Sequence, residues 1–264
     1  MRTVAIINLK GGVGKTASTV NIAATLAKDY KQRVLLVDAD SQCNTTEFFG
    51  GDPQKGNLAD VLRFKGNEEF DPLLFAVGSI QESNFERISL LAGDDSLMDL
   101  DLTKVELQGI QAEILKTLVE RVGSEALDLY DWCLVDCPPA FNAASAAALI
   151  AADEVIIPIK LDAFSLRGMA NMMHQIANMR KINPRLRLAG CLPTMWYNSP
   201  KIVEAEETLK ASGLPVFDHS RRTDKVDDMT FAQEPLLISS PRSAAGVDYR
   251  RFVRGLMKGG SHNG

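Results

Sequence analysis

The chain has 264 residues, 45% hydrophobic and 24% charged, with a formal net charge of −5 and a pI near 5.3. Such values describe one large or two small globular domains and exclude a polycation, so any nucleic-acid contact must come from a local patch or a dimer surface. The four cysteines (Cys43, Cys133, Cys137, Cys191) show no CxxC spacing, which argues against zinc or a redox pair. The most apolar stretch, Ala143 to Ala152, has about half of the ~20 residues a membrane span needs. No signal peptide precedes the first strand, so the expectation is an intracellular, soluble protein without an integral membrane segment.

Thr3-Val4-Ala5-Ile6-Ile7 is β-branched and apolar and predicts a buried strand. Ala17 to Lys28, with Val20, Ile22, Ala23, Ala24, Leu26 and Ala27, predicts a helix. Between them lies Lys10-Gly11-Gly12-Val13-Gly14-Lys15-Thr16. Strand, glycine-rich turn, Gly-Lys-Thr and helix is the layout of a phosphate-binding loop. Glycines let backbone N–H groups converge on phosphate oxygens, the helix N-terminus adds positive potential, and Lys15 brings a full charge. The Thr16 hydroxyl can reach Mg²⁺. The strict pattern wants a glycine where Leu9 stands, and a second lysine, Lys10, opens the loop instead. A nucleoside triphosphate site is the first expectation.

Arg33 to Val37 predicts the second strand, ending in Asp38-Ala39-Asp40. In a parallel sheet the carboxyl ends of strands meet the ligand. One of these acids can hold Mg²⁺, usually through water, and the other can orient an attacking water; the alternative is a cap on Ser41-Gln42-Cys43-Asn44. Residues 50 to 72 are rich in loop formers around Leu58, Val61 and Leu62, which predict a short helix. Arg87 to Leu91 predicts a strand closing on Ala92-Gly93-Asp94, and Leu107, Ile110, Ile114 and Leu118 predict one or two helices within 97–122. Trp132 to Asp136 is an apolar strand delivering an acid at its end, a second Mg²⁺ partner, and Pro138-Pro139 stiffen the loop that leaves it. The bland reading of Asp136 is a cap on helix 142–151.

Strand Glu154 to Ile159, helix Ser165 to Met179 and strand Leu186 to Leu192 follow. Met169, Met172, Met173 and Met179 read as core packing. Then come helix Pro200 to Ala211, the apolar piece Leu214 to Phe217, helix Thr223 to Ala232, and a last helix from Ala244 to Lys258. The tail 259–264 reads as disordered, with His262 inert. Strands alternating with helices and no internal repeat predict a single doubly wound α/β domain over 1–258, its mostly parallel sheet flanked by helices.

Lys10-Gly-Gly-Val-Gly-Lys-Thr16, Val37-Asp-Ala-Asp-Ser-Gln42 and Val135-Asp-Cys-Pro-Pro139 resemble the deviant phosphate loop (deviant Walker A) and acidic motifs of the ParA/MinD ATPase superfamily, a SIMIBI-like branch of P-loop NTPases. The resemblance extends over nearly the whole chain. Ala151-Ala-Asp153-Glu-Val-Ile-Ile-Pro158, Phe164-Ser-Leu-Arg-Gly168 and Leu192-Pro-Thr-Met195 look like the ParA branch that segregates chromosomes and plasmids, in its short, Soj-like form. The resemblance implies a cytoplasmic, nucleoid-associated, Mg²⁺-dependent ATPase that forms a sandwich homodimer on ATP. Lys10 would reach the partner's phosphates, Lys15 and Thr16 would serve their own nucleotide, and Asp40 would position the water. Gly11, Gly12, Val13, Gly14, Ala17 and Met195 would complete the ATP contacts, with Thr16, Asp38 and Asp136 around the metal. Slow turnover would await a ParB-like partner. Ala17 stands where the family often has threonine, Leu9 where a polar residue is common, and Arg221-Arg222 where Pro-Arg is usual.

Two surfaces compete for what the dimer holds. Arg221, Arg222 and Lys225, with Arg250, Arg254 and their neighbours, form basic stretches; residues 242–258 carry five bases against Asp248, and nonspecific DNA is the family's ligand. Solvated surface charge is the plainer reading. The last helix instead places Tyr249, Phe252, Val253, Leu256 and Met257 on one stripe, resembling the basic amphipathic anchor of the MinD branch and equally a helix docked on a sheet. A third resemblance, to the nitrogenase iron protein, would need Cys137 and a second cysteine to hold a cluster.

Overall fold

The computed structural model describes residues 1–64, 66, 71–100 and 110–258. Its elements run β1 (Arg2–Ile6), α1 (Lys15–Tyr30), β2 (Val34–Asp38), α2 (Asn44–Phe48), α3 (Leu58–Arg63), α4 (Pro72–Gly78), β3 (Gln81–Glu82), β4 (Ile88–Leu91) and α5 (Ile110–Val122). They continue with β5 (Trp132–Asp136), α6 (Ala143–Ala151), β6 (Glu154–Lys160), α7 (Ala163–Met179), β7 (Arg187–Thr194), α8 (Pro200–Ala211), α9 (Lys225–Ala232), α10 (Leu236–Ser239) and α11 (Ala244–Met257). The expectations for Leu107 and for the tail 259–264 fall outside the described residues.

Among the described residues seven strands form one sheet in the order β3-β4-β2-β5-β1-β6-β7, and of these β3 alone pairs antiparallel, at the edge. The doubly wound, mostly parallel fold expected from the sequence is therefore the one observed. Both faces of the central strands are covered, which is why β1 and β2 read as continuous apolar runs instead of alternating ones. Ala5, Leu35, Val37, Cys133 and Val135 face one core, with α3, α5, α6 and α7 over it. Val4, Ile6, Val34, Leu36 and Leu134 face the other, under α1 and α11. Every residue of α6 is buried, as a helix that is apolar all round must be.

α11 settles where its stripe points. Tyr249, Phe252, Val253 and Leu256 are buried in the second core, and Phe252 meets Phe217 edge-on with ring centroids 4.7 Å apart. The stripe is spent on the fold, as the docked-helix reading expects, and this face is not left for the alternative of a lipid anchor. Among the described residues no helix is long and apolar enough to cross a membrane.

Register builds the site. Ile6 on β1 lies opposite Asp136 on β5, and Asp136 lies opposite Asp38 on β2. β5 sits between β1 and β2, so the loop that leaves β1 opens directly beside both strand-end acids.

Candidate functional site

The loop after β1 is shaped by its glycines. Gly12 and Gly14 have φ of +67° and +82°, in the left-handed region that other residues enter only at a cost. Gly14 is the N-cap of α1 and has no side chain to cap it, so the first N–H groups of the helix are left for a ligand. A Cβ placed on Gly11 or Gly12 would meet nothing within 4 Å; the loop borders open space there. Its back is anchored: Thr194 at the end of β7 donates its hydroxyl to the Val13 carbonyl at 2.8 Å, and Asn8 accepts the Lys10 N–H at 3.0 Å.

Lys15, the first residue of α1, is buried and donates Nζ to the Lys10 carbonyl at 3.3 Å. Burial lowers its pKa, while the charges of Asp136 and Asp40 pull it back up. Thr16 gives its hydroxyl hydrogen to Oδ2 of Asp136 at 2.8 Å, which leaves lone pairs of the threonine oxygen for another partner. Oδ1 of Asp136 is buried with no hydrogen-bond partner among the described residues. Orphaned buried carboxylate oxygens are rare in native folds. One beside a threonine hydroxyl and a lysine suits a hard cation that takes oxygen ligands. No cluster of three or more His, Cys, Asp or Glu could hold a metal among the described residues, so a Mg²⁺ here would take its remaining ligands from water and phosphate, as that ion commonly does.

Asp40 is buried just beyond β2, its Oδ1 accepting the Gln42 N–H at 3.1 Å. Asp38 behaves differently. Its Oδ2 takes the Thr46 N–H and hydroxyl, both at 2.8 Å, and its Oδ1 takes the Asp40 N–H at 3.2 Å. The expectation of Asp38 as a metal ligand thus meets a carboxylate whose oxygens are already engaged in shaping the Asp40 loop. Burial raises the pKa of both strand-end acids, and their mutual repulsion adds to the rise at Asp38.

Lys10 is the residue whose surroundings the sequence did not announce. Its Nζ lies 2.7 and 2.9 Å from the two oxygens of Asp162. Asp162 follows β6 at the same carboxyl edge as the other acids, and that position was a usable signal. Thr45, Thr46 and Thr194 were missed as well, because a hydroxyl's partner leaves no trace in a periodic pattern.

Beside the loop, Gly14, Ala17, Met195, Arg221, Arg222 and Tyr249 help line a cavity of about 270 Å³. Arg221 is bound by Asp248 through Nε and Nη2, each at 2.8 Å. Asp248 pins it to the cavity wall and cancels its charge. Lys225 pairs with Asp228 at 2.7 Å, and Arg250 with Asp29 at 3.2 Å. Arg222 and Arg254 form no ion pair among the described residues. Of the five residues considered for DNA, three are neutralised within the chain. Cys137 is buried with its Sγ toward the Val135 carbonyl at 3.7 Å, and burial drives its thiol well above the usual value. It is not placed to ligate a shared cluster.

Residues 1–188 match the model of a family described as AAA domain. The chromosome partitioning protein ParA of Caulobacter vibrioides is 30% identical over 264 residues, covering 96% of this chain and 93% of that protein. The chromosome-partitioning ATPase Soj of Thermus thermophilus is 34% identical over 197 residues, covering 74% of this chain and 70% of that protein. Among solved structures, cobyrinic acid a,c-diamide synthase from Mycobacterium smegmatis with a bound ATP analogue and magnesium superposes with a TM-score of 0.78 at 25% identity, covering 98% of this chain and 95% of that one. With the phosphate loop, the two strand-end acids and a ParA relative matched nearly end to end, the chain belongs to the ParA family of partition ATPases.

Proposed function

We propose that this protein is a Mg²⁺-dependent ATPase that dimerises on ATP, binds DNA without sequence preference as a dimer, and releases it when a ParB-like partner accelerates a slow hydrolysis. The observation that carries the reading is the convergence of Lys15, Thr16, Asp136 and Asp40 on one glycine-shaped loop whose opening residue is a second lysine. Backbone N–H groups of the loop and the Lys15 amine would hold the β- and γ-phosphates. Thr16 and Asp136 would hold Mg²⁺, which when bound offsets phosphate charge as it develops. Asp40 orients the attacking water, and Asp38 keeps the Asp40 loop in place from behind.

Lys10 acts in trans. In the single chain it is held by Asp162, with the two side chains 38% and 31% exposed. An ion pair that open to water contributes about 1 kcal/mol or less. The several negative charges of a partner's triphosphate outweigh one carboxylate, so the lysine transfers when two chains close face to face. A cation delivered by the second subunit can be worth ~10³–10⁵ in rate, which makes closure and hydrolysis one event. Arg222 and Arg254 are the best-placed cations for DNA phosphates, and the protein works in the cytoplasm on the nucleoid.

Co-sedimentation with DNA and with liposomes, with and without ATP, tests this. Binding to DNA alone and only with ATP is expected. If the dimer neutralises roughly five phosphates, affinity falls several hundred-fold between 50 and 200 mM salt. Binding to liposomes alone contradicts the proposal.

A further inference from the structure

α2 presents two threonines in succession, and each engages a different strand-end acid. Thr46 holds Asp38, and the Thr46 oxygen in turn accepts the Gly93 N–H at 2.7 Å. Thr45, fully buried, donates its hydroxyl to Oδ2 of Asp136 at 2.7 Å. That is the oxygen already taking the Thr16 hydroxyl. Threonines in helices commonly return the hydroxyl to the carbonyl four residues back, as Thr19 and Thr25 do in α1 at 3.1 and 2.7 Å. Thr45, at the second position of α2, has no helical carbonyl four residues back, and its hydroxyl goes to Asp136.

The consequence is directional. The terminal torsion of a carboxylate is soft, so an unheld Asp136 could turn either oxygen toward its neighbours. With Oδ2 fixed from α1 and from α2, Oδ1 is presented where no group among the described residues satisfies it. We infer that Thr45 is a positioning residue for the divalent cation, locking the Asp136 carboxylate so that Oδ1 faces Mg²⁺ and coupling that site to α2, the helix that follows the Asp40 loop. The inference rests on the reading of Asp136 as the metal-side acid. Removing a hydrogen-bond partner of a ligating carboxylate typically costs about 10–100-fold in metal affinity.

The test is a Mg²⁺ titration of fluorescent ATP-analogue binding to the full chain, with the same binding measured in EDTA and thermal unfolding recorded for each variant. Thr45→Val keeps the side-chain volume and removes the hydroxyl. It is expected to raise the half-saturating Mg²⁺ concentration about 10–100-fold with binding in EDTA unchanged, and Thr45→Ser is expected to restore the wild-type titration. If Thr45→Val does not fold, Thr45→Ala carries the same expectation. A wild-type Mg²⁺ titration in the valine variant, or an equal loss in EDTA, overturns the inference. Asp136→Asn separates the two claims. If it too leaves the titration unchanged, the assignment of Asp136 fails; if it abolishes the Mg²⁺ dependence while Thr45→Val does not, the role of Thr45 alone fails.

Discussion

In the proposed function Lys15 holds the nucleotide and Asp40 serves the reaction, and replacing each separates the two. A hydrogen bond to a charged group contributes about 1.5–3 kcal/mol, so Lys15→Ala is expected to weaken ATP binding by about 100-fold in a calorimetric titration. Asp40→Ala should still bind ATP while hydrolysis drops about 100-fold or more; unchanged turnover would remove its water-orienting role. Asp38 and Asp136 carry a cost. Burial lifts Asp38 to about 7 and Asp136 to about 6, repulsion from Asp136 adding to the first. A carboxylate whose folded value lies above its ordinary one binds more protons folded than unfolded, so its contribution to stability falls as pH rises from about 4 to about 7. Asp38→Asn removes that pH dependence, although its amide N–H₂ must face a donor that Asp38 accepts from; in urea unfolding without nucleotide, the variant's stability should vary less with pH between about 4 and about 7 than that of wild type.

Among elements, α11 yields the plainest prediction: Phe252→Ala should cost about 3–5 kcal/mol of stability, read by urea unfolding, because the ring is core and not an anchor. The strongly patterned elements were legible. The β1 run, the glycine loop and α1 follow from residue type alone, although α1 begins at Lys15, two residues before the apolar pattern starts, because the cap is a bare glycine. β2, β5 and β6 were legible because burial on both faces demands unbroken apolar runs. α2 was not. It is five residues long, begins after Cys43 at φ +53°, and opens on Asn44 and Thr45, which favour turns as much as helices. α4 had a readable start in Asp71-Pro72, with the Asp71 side chain accepting the Leu73 N–H at 2.7 Å, but that start closes the 50–72 stretch rich in loop formers and no helix was expected beyond it. β3 is two residues paired at the edge of the sheet, too short to carry a period. In the site, Lys15, Thr16, Asp40 and Asp136 were legible by spacing after strands. The two threonines of α2 were not, since only the fold brings them to their partners, and Asp162 carried a signal only in its place just after β6.

For the whole molecule, a net charge of −5 and a set of basic residues largely neutralised by Asp248, Asp228 and Asp29 leave a single chain poorly suited to DNA. Two chains acting together double what Arg222 and Arg254 can offer, and the steep salt dependence proposed above is the mark of such a surface. In the proposed function the same closure would move Lys10 from Asp162 to the partner's phosphates and link nucleotide, dimer and DNA through one event. Sedimentation velocity with a non-hydrolysable ATP analogue and Mg²⁺, against ADP, tests this most directly. The account predicts twice the single-chain mass with the analogue and the single-chain mass with ADP, and a chain that stays single in both contradicts it.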